Sequence, residues 1–354
     1  MSMQVNDKTI NWQKWEDYEI LSQEDFRDEY LLIHDYHENF DELLNGLYTV
    51  VDGFSEYNND SKFGGYIASG RRRIIDVLDL ISIQYSAGGD LEFIKELYPY
   101  LLYWTEEYAE TSHLYNLSPE AEGRYVWHIS LGTEDYWYIA LRLICFGLLT
   151  GYADQMSRIM SIIDYTEATP EGQEKDGLLE RLVAPFVANR GTPPKDARRH
   201  LPYRKLIKVI DAKPEKHPEL MLQYLEDWYE ASRREPYHDQ HPQPDIRSGI
   251  SYFGYWSWEA AAVTWLLNID DATYREHQFY PKDLVDFARS QAKSTTTETT
   301  IEKIKVTGGE KCSKTGYWIT PAQPDTRPFF TQGEILPTLS QADWGDVYWY
   351  FDGE

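Results

Sequence analysis

The sequence predicts a mainly α-helical protein, a multi-helix bundle in two packed helical subdomains with a small β-rich C-terminal appendage. Three observations carry that prediction. Apolar residues recur three and four apart through most of residues 70–290. Two polar joints interrupt them, a Pro-Pro-containing stretch at 189–200 and a serine/threonine-rich stretch at 290–300. Beyond the second joint the pattern changes to short β-prone runs separated by turns, Ile304-Lys305-Val306, Gly308-Gly309, Tyr317-Trp318-Ile319 and Val347-Tyr348-Trp349-Tyr350. The implied organisation is an acidic, partly helical segment over residues 1–60, a helical domain over 61–200, a second over 201–290, a tether over 291–302 and the appendage over 303–354.

The helices follow in order. Ile74, Val77, Leu78 and Ile81 share one face, as do Leu91, Ile94, Leu97, Leu101 and Tyr108, with Pro99 expected to kink or break the second helix. Thr133, followed by Glu134 and Asp135, reads as an N-cap with acids in the first turn, opening a helix through Trp137, Leu141, Cys145 and Leu148 that stops near Gly151. Met156, Ile159, Met160 and Ile163 form another face, and Leu178, Leu179, Leu182, Val183 and Phe186 a further one. Pro218 suits a first helical turn ahead of Met221, Tyr224, Leu225 and Trp228. Trp258, Ala261, Ala262 and Trp265 describe a helix ending near Asn268, and Pro281 opens a short one through Leu284, Val285 and Phe287.

Charge narrows the function. Against 59 acidic side chains stand 34 basic ones, a formal charge of −25, which repels nucleic acid and anionic membranes and draws in basic partners. The excess is uneven. Residues 1–60 hold 15 acidic and 3 basic side chains, a net of −12, whereas residues 191–240 hold 9 acidic and 10 basic. The acids of the first segment, Glu16, Asp17, Glu19, Glu24, Asp25, Asp28, Glu29, Asp35, Glu38, Asp41 and Glu42, therefore form a candidate steering surface for a basic partner, with a plain solvated helical face as the bland alternative. The N-terminus lacks a basic region followed by an apolar run, so no signal peptide and a cytoplasmic location are expected. The most apolar stretch, Tyr136 to Leu149, is shorter than a membrane span and contains Arg142.

Chemical motifs are sparse. Neither His34/His37 nor His238/His241 has third and fourth ligands at recognisable spacing, and Cys145 and Cys312 sit in unrelated surroundings, so no metal and no cofactor are expected. The Arg71-Arg72-Arg73 cluster is too small in so acidic a chain to argue for phosphate binding. Asp270-Asp271 reads as a turn or cap after Asn268. Glu259 stands among Tyr255, Trp256, Trp258 and Ala260–Ala262, where a structural acid held by tyrosine hydroxyls or an arginine is the simpler reading than a catalytic one. With 28 Tyr and 12 Trp the chain could also line a sugar cleft flanked by paired acids, so a helical carbohydrate-active enzyme is the alternative to a binding protein.

One run carries a family resemblance: Tyr252-Phe253-Gly254-Tyr255-Trp256-Ser257-Trp258-Glu259-Ala260-Ala261-Ala262, then Ile269-Asp270-Asp271, then Tyr280-Pro281-Lys282-Asp283-Leu284-Val285. Their order and spacing resemble the PoNi family, immunity proteins of polymorphic nuclease toxins. Arg72 to Tyr85 and Glu92 to Tyr108 are similar, more loosely, to the family's N-terminal helical domain. The resemblance covers roughly residues 70–290. It implies an all-helical body without activity of its own that protects its producer by binding a DNase toxin delivered by a secretion system such as type VI. The expected partner is thus a cognate, basic DNase domain, with a homodimer left open. On this reading Tyr252, Gly254, Tyr255, Trp256, Glu259, Asp270, Asp271, Tyr280 and Asp283 are fold determinants rather than toxin contacts.

Overall fold

Alternating apolar and polar faces give helices wherever the side chains that recur three and four apart find a partner surface to cover. The computed structural model describes residues 9–56, 63–122, 128–164, 175–241, 251–299, 305–320, 323, 326–338 and 347–353. It falls into two units, Met1–Arg289 and Ser290–Glu354. Eleven α-helices are present among the described residues: α1 (Trp12–Glu16), α2 (Ile33–Glu56), α3 (Phe63–Ser86), α4 (Leu91–Leu117), α5 (Glu134–Leu149), α6 (Met156–Asp164), α7 (Gly177–Val183), α8 (Tyr203–Ile210), α9 (His217–Ala231), α10 (Trp258–Leu266) and α11 (Lys282–Thr299). None of them is long and apolar enough to cross a membrane.

In the first unit α2, α3 and α4 pack side by side, and α5 lies against α3, α4 and α10. The apolar face expected for α3 is the buried one, with Ile74, Val77, Leu78 and Ile81 almost wholly enclosed. α5 is apolar around its circumference, and twelve of its sixteen residues are buried, which makes it the central helix. Thr133 occupies the N-cap position as expected, but its hydroxyl turns back to donate to the Ser130 carbonyl (3.1 Å) and makes no cap bond to the helix. Gly151 takes the left-handed conformation just past the end of α5 (φ +89°), where a residue lacking Cβ terminates a helix without strain.

Two expectations for helix boundaries differ from the structure. Pro99 does not break α4, which runs continuously from Leu91 to Leu117. Leu97, Tyr98, Leu101 and Leu102 on either side of it are buried, and the Tyr98 hydroxyl donates to the Leu143 carbonyl of α5 (2.9 Å). That packing offsets the roughly 3 kcal/mol cost of an internal proline. The serine/threonine-rich stretch, read as a tether, is helical through Thr299 as the continuation of α11. Its polarity suggested a joint, yet residues 282–299 contain neither Gly nor Pro, so no breaker stops the helix.

The acidic N-terminal segment is integral to the first unit. Trp15 is buried edge-on against Phe93 and Tyr100 of α4, and Tyr18 stacks on Phe93 with centroids 4.0 Å apart. The Tyr36 hydroxyl accepts from the Ile20 amide (2.9 Å) and from Gln84 Nε2 (3.1 Å), tying this segment and α2 to α3.

The second unit contains a four-stranded antiparallel sheet, β1 (Lys305–Thr307), β2 (Gly316–Ile319), β3 (Phe329–Phe330) and β4 (Tyr348–Gly353), in the order β1-β4-β2-β3. Cys312, Trp318, Leu336, Val347 and Trp349 form its small core. This bears out the mainly α fold with a small β appendage; Ile304, expected to open the first strand, lies outside the described residues.

Candidate functional site

The motif of residues 252–259 enters the protein interior as an extended segment before α10, and the side chains of Tyr252, Tyr255, Trp256, Ser257 and Glu259 along it are each hydrogen-bonded. Tyr252 donates its hydroxyl to Asp28, whose two carboxylate oxygens lie 2.9 and 2.8 Å away. Asp28 also accepts from the amides of Tyr30 (2.8 Å), Leu31 (3.0 Å) and Tyr255 (3.2 Å). Burial raises the Asp28 pKa, and the Tyr252 and backbone donors oppose that shift. Alongside, the amides of Arg27 and Asp28 donate to the Ser86 carbonyl at the end of α3 (2.8 and 3.1 Å). Arg27 pairs with Asp283 at the start of α11 (2.7 Å) and lies over the Tyr85 ring. One turn of the acidic segment thus fastens α3, the motif and α11 together.

Gly254 is required by two constraints. Its φ is +101°, and a Cβ there would fall 2.0 Å from Ser86 Oγ. That hydroxyl lies 2.7 Å from the Phe253 carbonyl and accepts from Trp256 Nε1 (2.8 Å). Tyr255 meets His241 through its hydroxyl, 2.8 Å from Nδ1 and 3.1 Å from the His241 amide. Trp256 and Trp258 pack edge-on against Tyr85.

Glu259 is buried, and three neutral donors converge on its Oε1: Tyr224 Oη (2.7 Å), Trp228 Nε1 (2.7 Å) and Ser257 Oγ (2.8 Å). Burial raises its pKa, and the Tyr224, Ser257 and Trp228 bonds work against that shift. A general acid must reach the atom it protonates. This carboxyl is instead enclosed and joins α9 to α10 through Oε1. Asp271 is likewise interior, accepting from Tyr280 Oη (3.0 Å), Arg275 (3.3 Å) and Arg289 (3.2 Å). Asp270 is exposed and closes a turn by accepting the Ala272 amide (3.1 Å).

Of the eleven acids singled out in the N-terminal segment, nine are at least partly exposed. Glu16, Asp17, Glu24, Asp25, Glu29, Glu38, Asp41 and Glu42 face solvent, and Glu19 is half-buried beside His37 Nδ1 (2.5 Å). Asp28 and Asp35 are buried, Asp35 in the first turn of α2, so neither belongs to an exposed surface. The histidine pairs are separated by their partners as well: His34 lies by Asp35 (3.3 Å), His37 by Glu19, His238 against the Tyr229 ring and His241 on Tyr255. No group of three potential ligands among His, Cys, Asp and Glu converges among the described residues.

Two clefts stand out among the described residues of this unit. One, of about 310 Å³, is lined by Trp256, Tyr280 and Asp283 of the motif together with Arg27, Arg275 and Lys282. The other, of about 510 Å³, lies by the loop 198–201 and the turn after α9.

Residues 174–284 match the family model described as PoNe immunity proteins (PoNi), C-terminal. That match covers about a third of the chain. The matched region holds α7 to α10 and the start of α11, including Glu259, Asp271 and Tyr280 with the interior bonds given above. The crystal structure of protein PA2201 from Pseudomonas aeruginosa is similar to this chain with a TM-score of 0.61 at 16% identity, covering 79% of this chain and 95% of that one. At that identity the likeness shows the fold alone. No curated protein matches the chain.

Sequence reasoning did not find Asp28 as a member of the motif's bonding web, because 224 residues separate it from Tyr252. Nor did it single out the larger cleft. The only signal for that cleft was a pair of dipeptides, Arg198-Arg199 and Arg233-Arg234, which come together once α8 packs on α9.

Proposed function

We propose that this chain is the immunity partner of a DNase toxin, which it binds and neutralises in the cytoplasm by protein–protein contact and without catalysis of its own. The observation that carries the reading is the PoNi match over residues 174–284. The exposed acids of residues 16–42 give the contact its electrostatics. A nuclease must carry positive charge to hold DNA, so a negative surface accelerates its capture and competes with its substrate. A toxin exported through a type VI apparatus fits this arrangement, since kin cells then need a resident inhibitor.

Co-expression tests the reading. Cells carrying the toxin gene adjacent to this one survive when this chain is produced and die when it is not. Death of cells that contain the folded chain, or survival that does not depend on a physical complex with the toxin, overturns it.

A further inference from the structure

Arginines on this protein are mostly consumed by neighbouring acids. Arg71, Arg72 and Arg73 each have a carboxylate partner, in Asp135, Asp76 and Glu107. Arg190 is shared by Asp164 and Glu180, and Arg181 lies on Asp211. In the larger cleft arginines outnumber the acids beside them.

Four arginines line it, Arg198 and Arg199 from one loop and Arg233 and Arg234 from the turn after α9. Arg199 is fixed between Glu134 and Glu235, at 2.5 Å from each. Arg198 is held by its amide on Asp176 (2.6 Å) and by Nε on the Leu131 carbonyl (3.1 Å). Arg233 donates Nε to the Glu230 carbonyl (3.0 Å) and pairs with the Glu230 carboxylate at 3.7 Å, its side chain 68% exposed. Arg234 is exposed and forms no ion pair among the described residues. Against these four stand Glu134, Glu230 and Glu235, giving the cleft a net of 4 − 3 = +1 in a chain of −25. The negative end of the α9 dipole accounts for cations at residues 233–234. It does not account for Arg198 and Arg199, which arrive from a separate loop.

We propose that this cleft receives an acidic peptide segment of the toxin, a loop bearing Asp or Glu side chains. The partner's identity rests on the immunity reading above; the ligand chemistry rests on the cleft. Guanidinium forks match carboxylates in two parallel bonds, and two of the four are already held in place. Acceptors alternate with these donors. Glu134 and Glu230 pair with Arg199 and Arg233 yet are exposed enough to accept further N–H groups, which a peptide carries along its backbone and a phosphate does not. The overall negative field also repels a polyanion such as nucleic acid. A volume of about 510 Å³ holds a few side chains. The complex then has two contacts of opposite sign. Acids of the N-terminal segment meet the toxin's basic surface while the cleft takes an acidic loop, a pairing that fixes orientation as well as attraction.

The test uses the full chain and its Arg233→Glu/Arg234→Glu variant, whose changes are exposed and leave the fold intact as checked by thermal unfolding. A fluorescein-labelled Gly-Asp-Glu-Asp-Gly peptide is titrated with each, with inorganic pyrophosphate as competitor. The parent chain is expected to bind the peptide about tenfold or more tightly than the variant does, the loss expected for charge-assisted bonds. Pyrophosphate at equal concentration leaves that binding in place. Equal binding by both proteins, no binding by the parent, or displacement by pyrophosphate overturns the proposal. The toxin domain supplies the second reading: the variant's complex dissociates about tenfold faster. If parent and variant hold the toxin equally, the cleft proposal alone fails; if the parent does not hold it, the immunity reading fails.

Discussion

The acids of the N-terminal segment and the acids of the 252–283 motif carry the same charge and do opposite work. In the segment, Glu16, Asp17, Glu24, Asp25, Glu29, Glu38, Asp41 and Glu42 are in water. In the motif, Glu259 and Asp271 are enclosed and bonded to interior donors. Exposed acids contribute little to stability individually, because water screens them, and their value lies in the field they sum to. Enclosed acids contribute to the fold because removing one leaves its donors unsatisfied in a medium that penalises them. Asp28 crosses this division. It belongs to the segment by sequence and to the motif by chemistry, since Tyr252 and the Tyr255 amide both donate to it.

Substitutions that separate the two kinds of acid test the comparison, and the largest effect is expected inside the motif. Glu259→Ala strands the donors Tyr224, Trp228 and Ser257 and opens a cavity, and about 3–5 kcal/mol of unfolding free energy is expected to be lost in urea denaturation. Glu259→Gln keeps an acceptor and costs about 1 kcal/mol. Equal losses for the two would show that volume rather than bonding is what Glu259 supplies.

Asp28→Ala is next, at about 3 kcal/mol, with Tyr252→Phe at about 1 kcal/mol. Because the two side chains bond directly, the double variant is expected to lose less than the sum, with a coupling of about 1 kcal/mol or more in a double-mutant cycle. Strict additivity would mean that the segment and the motif are not joined through this pair.

Asp76 on α3 supplies a pH test. Burial pushes its carboxyl up to about 6 from the ordinary 3.8, with Arg72 opposing the shift. A folded-state value above the unfolded one means that its contribution is fully present below pH 3.8 and is lost as pH rises through about 6. The span corresponds to about 3 kcal/mol. Asp76→Asn is therefore expected to lose less stability than the parent between pH 4 and pH 7. Parallel curves would show that Asp76 titrates normally.

The smallest stability effect is expected at the surface. Reversing Asp17, Glu24, Asp41 and Glu42 to Lys should change unfolding free energy by no more than about 0.5 kcal/mol per site. The same variant should slow capture of a basic toxin by about tenfold at low salt.

The division between these regions was only partly legible in the sequence. Helical periodicity located the buried faces of α3, α4, α5 and α9, because burial on one side of a helix leaves a mark every three or four residues. The aromatic-rich run ending in Glu259 was legible for a different reason: an acid amid Tyr and Trp has to be satisfied, and Tyr224 satisfies it. Asp28 was not legible. Within an excess of 15 acids over 3 bases, nothing local distinguishes the acid that turns inward from those beside it. The same limit hid the arginine cleft, whose two halves are about 35 residues apart and meet only in the fold. Pro99 and the serine/threonine-rich end of α11 show a further limit, since tertiary packing in one and the absence of a breaker in the other decided the outcome.

The most direct test of the account is the association rate of the purified chain with its cognate toxin domain, measured from low to high ionic strength. The account predicts a tight complex whose association slows steeply with added salt, and a charge-reversed N-terminal variant that associates slowly at every salt concentration while remaining folded. A toxin complex whose association rate ignores both salt and the N-terminal charges, or no complex at all, would contradict it.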